Sequence, residues 1–176
     1  LAANETAVLA FLNTNTASAV AMLTWMFFDR LRGRKVGAIG ACIGAVVGLV
    51  AITPAAGFVS IGSSILIGFI AAIISNLALG LKARSGVDDT LDVFPCHGLG
   101  GIVGMILTGV FAKDVGLMFG ETKTFINHLL ALVIVMVFCF SASYLLYMVC
   151  NFIKPLRVNE EEERQGLDMS QHGERV

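Results

Sequence analysis

Five long, uncharged, apolar stretches alternate along this chain with four clusters of charge. The stretches cover about residues 6–28, 36–52, 58–81, 93–112 and 125–153. A bilayer's hydrocarbon core takes about 20 apolar residues per helix, so each stretch reads as a transmembrane helix. The second is short, and the fifth is long enough to tilt or to emerge from the membrane. No segment keeps the two-residue alternation of a barrel strand. The pattern therefore predicts an all-α integral membrane protein with a bundle over 1–154 and a polar tail over 155–176.

Composition points the same way. Hydrophobic residues make up 56% and charged residues 14%, and the mean hydropathy is +0.82. A soluble domain carries roughly 25% charge and could not hide this much apolar surface. Cys42, Cys96, Cys139 and Cys150 all fall in apolar stretches, without the paired spacing of a zinc or redox motif, and read as buried thiols. No metal site, cofactor, enzymatic activity or nucleic-acid partner is expected. Leu1 is not methionine and no secretory leader precedes the first span, so the chain reads as starting partway through a longer protein.

The loops assign an orientation. Arg30, Arg32, Arg34 and Lys35 follow the first span, and Lys82 and Arg84 follow the third. The opposite side holds only Lys113 and Lys123. By the positive-inside rule the basic loops and the tail are cytoplasmic and the N-terminus of this segment lies outside. Gly40, Gly44 and Gly48, and likewise Gly100 and Gly104, recur every four residues, a spacing that lets helix backbones approach closely in lipid. Close packing also suits a narrow pore, which spacing alone does not reveal.

Polar groups inside a span are costly and need a reason. Asn13, Thr14, Asn15 and Thr16 cover every face of the first helix, so they serve helix–helix hydrogen bonding or line a pathway. Thr53-Pro54 reads as a turn ending the second span. Trp25 is an interfacial anchor or a packing residue, Phe27, Phe28 and Phe94 are lipid-facing or core aromatics, and His128 is an ordinary interfacial ring. His97 gives the sharpest signal, about one turn inside the fourth span. Burial there without a charged partner favours the neutral imidazole, which has one donor and one acceptor nitrogen and can pass a proton through. The competing reading is a satisfied core histidine. Asp92 suits the first turn of that helix, where an acid complements the helix dipole and caps free amides. Asp88 and Asp89 read as plain loop charges.

Three motifs carry a family resemblance. Asp92-Val93-Phe94-Pro95-Cys96-His97-Gly98-Leu99-Gly100-Gly101-Ile102-Val103-Gly104 resembles the signature of the Amt/Mep/Rh ammonium transporter family, in its Amt branch. Ile52-Thr53-Pro54-Ala55-Ala56-Gly57-Phe58 and the opening from Asn4-Glu5 to Trp25-Met26-Phe27-Phe28 do so too. The tail motifs Gly166-Leu167-Asp168 and His172-Gly173-Glu174 extend the likeness to the end.

The resemblance implies an eleven-helix inverted-repeat transporter fold, of which this chain matches the seventh to eleventh spans and the tail. It implies a multi-pass protein of the cell (plasma or inner) membrane that deprotonates ammonium and conducts ammonia through a narrow hydrophobic pore. A histidine pair lines that pore; His97 matches the second member, and the first belongs to the other repeat. Val93 matches a pore-lining position, and Asp92 an acid of structural or electrostatic role. Gly166, Leu167 and Asp168 match a regulatory tail. Implied partners are ammonium or ammonia as substrate, the lipid bilayer, two further copies in a homotrimer and a P-II signalling protein at the cytoplasmic face. An ammonium sensor, or an inactive membrane fragment lacking the first repeat, are the alternatives.

Overall fold

The computed structural model describes residues 2–174; Leu1 and the terminal Arg175-Val176 lie outside them. Among the described residues every regular element is helical. Helix α1 spans Glu5–Leu31, α2 Ala38–Ile52, α3 Ile61–Ser85, α4 Leu99–Phe111, α5 Thr122–Ile153 and α6 Glu160–Gln165. A π-helical turn, Phe94–Gly98, leads into α4. With that turn counted, four segments are long and apolar enough to cross a membrane. The fifth, α2, has 15 residues, about 22 Å at 1.5 Å per residue. It is continued by a turn in which Ala55 and Val59 are inaccessible.

Local chemistry sets the boundaries. The Asn4 side chain caps α1 by accepting from the Ala7 amide at 3.0 Å. The third span was expected from residue 58, but Ser60 accepts from the Ser63 amide at 3.1 Å and holds the helix start at Ile61. Phe58 and Val59 therefore belong to the preceding turn. The helix then runs beyond 81 to Ser85, where Gly86 at φ 68° ends it. The fourth span opens with one π turn, in which the Leu99 amide bonds the Phe94 carbonyl five residues back; Pro95 sits in its first turn, where a missing amide costs no helical bond.

The chain divides into two compact units, one ending at Leu132 and the other beginning at Val133. In the first, α1 packs on α2 and α3, and α4 packs on α2 and α3. The glycine spacing works as expected. A Cβ at Gly44 would lie 2.6 Å from that of Trp25, and one at Gly48 would strike the Ala17 carbonyl. One at Gly104 would strike the Ala51 carbonyl. Trp25 is 2% exposed, which makes it a packing residue. Asn13 is fully buried and donates to the carbonyls of Ala56 and Val59 at 2.8 and 2.9 Å, so it ties α1 to the turn after α2. Asn15 bonds only the Phe11 carbonyl of its own helix, at 2.8 Å. Thr53 likewise folds back on Leu49, at 2.7 Å.

In the second unit the α5 residues from Val133 on leave large apolar side chains exposed, Phe140 and Phe152 among them. Continuous exposed apolar surface of this kind suits lipid or protein, not water. Of the cysteines read as buried, only Cys96 is; Cys42, Cys139 and Cys150 are exposed. The tail holds more structure than a solvated segment. Asn159 and Glu162 form a reciprocal capping box on α6, and Arg157 pairs with Glu163 at 3.3 Å.

Candidate functional site

The π turn carries His97 at the head of α4, and the chain around it is held from several sides. Asp89, expected to be a plain loop charge, is the cap: its two carboxylate oxygens accept from the Val93 and Phe94 amides, each at 2.9 Å. The bond from Phe94, with help from that of Val93 and the charge of Lys82, holds its carboxyl below the ordinary value. Asp92, expected to cap, does not, because its backbone lies in the left-handed region at φ 54°. Its side chain instead pairs with Lys82 at 2.7 Å. The Lys82 ammonium also donates to the Asp89 carbonyl at 2.6 Å.

His97 was expected to be buried; in this chain it is exposed. The π turn directs Pro95 and Cys96 inward and leaves Val93, Phe94 and His97 on the open face. His97 and Cys96 line a recess of about 400 Å³ with Ile39, Cys42, Ile43 and Val46 of α2. Val93 and Phe94 line another of about 740 Å³, bounded by Leu81, Lys82 and Asp89. The first recess is walled mainly by apolar side chains and two thiols, and His97 brings the one imidazole to it. Ordinary helix spacing gave no hint of this division, because the π turn offsets the facing of the residues before it.

The remaining candidates lie elsewhere. His128 is half-buried, with Nδ1 3.3 Å from the Met105 carbonyl, and borders a recess of about 380 Å³ with Lys113 and Phe58. In the tail, Gly166 adopts φ 91°, Leu167 is exposed, and the Asp168 carbonyl accepts from the Glu174 amide at 3.0 Å. Among the described residues no three His, Cys, Asp or Glu side chains are grouped to hold a metal ion.

Asp29 stands at the head of the basic cluster after the first span, yet it is 8% exposed. Its carboxylate accepts from Asn76 at 3.0 Å and pairs with Arg34 at 3.5 Å, while Asn76 accepts from Arg32 at 3.2 Å. This polar network joins the cytoplasm-assigned ends of α1 and α3. The only sequence signal for it was Asn76, a polar residue inside an apolar run.

Several helices long and apolar enough to cross a bilayer define a multi-pass membrane protein. The model of the Ammonium Transporter Family matches residues 1–176, and the chain belongs to that family. It is 42% identical to the ammonium transporter of Aquifex aeolicus, over 100% of this chain and 43% of that protein. The crystal structure of Saccharomyces cerevisiae Mep2 superposes with a TM-score of 0.84 at 35% identity, covering 90% of this chain and 39% of that one. A sensor Amt protein superposes with a TM-score of 0.83 at 27% identity, over 96% of this chain and 42% of that one. The chain thus spans less than half the length of these relatives.

Proposed function

We propose that this chain forms one wall of a membrane pathway for ammonium, and that His97 and Val93 face the conducted species. The observation that carries this reading is the exposed His97 imidazole on the apolar recess shared with α2. Histidine costs free energy on a surface destined for lipid, so its exposure suits a face that meets a polar solute or a second polar side chain. A bare ammonium ion is expensive in such surroundings, whereas neutral ammonia is not. A neutral imidazole offers the departing ammonia or its proton both a donor and an acceptor. In this reading the partner histidine and the opposite wall come from the missing repeat of an eleven-helix protein. Asp92 acts structurally, through Lys82.

The basic loops support a cytoplasmic location for α2's start, α3's end and the tail of a cell-membrane protein. The family likeness supports a homotrimer. It also supports a regulatory contact of a P-II protein with the cytoplasmic face, in which Gly166, Leu167 and Asp168 take part. The test is ammonium-dependent current through the intact gene product in liposomes. A current lost or altered on His97→Ala supports the reading. An unchanged current removes His97 from the pathway, and no current in the parent protein favours a sensor or inactive role.

A further inference from the structure

We propose that Lys82 is a positioning residue for His97, a role that rests on the pathway reading above. One ammonium group reaches both aspartates before the π turn, the Asp92 carboxylate at 2.7 Å and the Asp89 carbonyl at 2.6 Å. The pair is partly sheltered, with the Lys82 and Asp92 side chains 21% and 27% exposed. Asp92 holds a left-handed backbone, unfavourable for a residue with a Cβ. From that position its carbonyl accepts from the Cys96 amide at 3.1 Å, while the Asp89 carboxylate holds the Val93 and Phe94 amides.

The π turn gives these contacts their purpose. It holds one residue more than an α turn, and absorbing that residue into regular helix would rotate the preceding residues by about 100°. The C-terminal side cannot take up such a rotation, because Gly104 lies against the Ala51 carbonyl. Slack is therefore available only on the N-terminal side, where Lys82 fastens the chain to the last turn of α3. Lys82 fixes which way His97 and its neighbour Cys96 face, although it touches neither.

Two readouts on the intact membrane protein test this. The first is thiol labelling of Cys96, which is 4% exposed, in a background with the other cysteines replaced. Lys82→Met is expected to speed that labelling roughly fivefold, the factor that ~1 kcal/mol of lost pairing corresponds to. Lys82→Arg, which keeps the pair, is expected to restore the parental rate. The second readout is the ammonium current, which falls in Lys82→Met and recovers in Lys82→Arg. If Lys82→Met fails to assemble, Lys82→Gln replaces it with the same expectations. Unchanged labelling overturns the proposal, as does faster labelling with an undiminished current. Labelling needs no transport, so its outcome stands apart from failure of the pathway reading, which an unaltered current in His97→Ala would reveal.

Discussion

The side-chain amide of Asn76 donates to a carboxylate oxygen of Asp29 at 3.0 Å, joining the first and third helices near their basic ends. Both residues are buried. Without Asn76, the sheltered carboxylate keeps Arg34, at 3.5 Å, as its one remaining partner there. Asn76→Leu is therefore expected to destabilise the bundle by about 2 kcal/mol, the scale of a hydrogen bond lost to a charged group. Thermal unfolding in detergent would register the loss. Asp29→Asn in that background should recover part of it, because the stranded charge is gone. Equal midpoints for parent and Asn76→Leu would show the network to be dispensable.

The helix contacts through glycine give a sharper steric prediction. A methyl at Gly48 or Gly104 meets backbone carbonyl, of Ala17 or Ala51, and backbone cannot step aside as a side chain tip can. Gly48→Ala and Gly104→Ala should each cost about 1–3 kcal/mol. Gly62 serves as the control, since a Cβ there meets only Ser60 Oγ at 3.8 Å. Gly62→Ala should leave the midpoint unchanged or slightly raised, and three equal effects would refute the packing argument.

Asp89 supplies a pH dependence. Its carboxyl lies below its ordinary value because it accepts the Phe94 and Val93 amides. A group with a depressed folded value contributes stability above its unfolded value and loses it as pH falls through the folded one. Protection of the Val93 and Phe94 amides from hydrogen exchange, corrected for intrinsic rate, should thus decline on acidification below the usual carboxylate range. Asp89→Asn should start with weaker protection and show little further decline. A parental protein whose protection ignores acid would sink the cap.

The sequence disclosed the membrane helices and the glycine seams, because both rest on periodic composition. Gly48 and Gly104 could be read from spacing alone. The site's details were not legible in that way. Which of Asp89 and Asp92 caps the fourth span depends on the left-handed turn at Asp92, and hydropathy carries no trace of a backbone dihedral. Asp29 opens a basic cluster, and nothing local announces its partner, Asn76, which lies 47 residues away. The facing of His97 escaped prediction for a related reason: burial was inferred from its depth of about one turn inside the span, and the π turn leaves it on the open face.

Cys42 offers a direct test of which surface conducts. It is exposed and shares the His97 recess, on the side of α2 that follows the basic loop. A small cationic thiol reagent attached there would place charge and bulk in about 400 Å³ of space. Passing cations would be repelled, and ammonia would lose room. Applied from the cytoplasmic side, the reagent should reduce ammonium current at least ~10-fold, for which ~1.4 kcal/mol of added barrier suffices. Cys42→Ala should be nearly insensitive. Cys139 and Cys150 of α5 are not among the residues that line this recess, and replacing them should change nothing. Block that persists when both Cys42 and Cys96 are replaced by Ala would move the pathway off the α2 face. Block only from the outside would reverse the orientation inferred from Arg30, Arg32, Arg34 and Lys35.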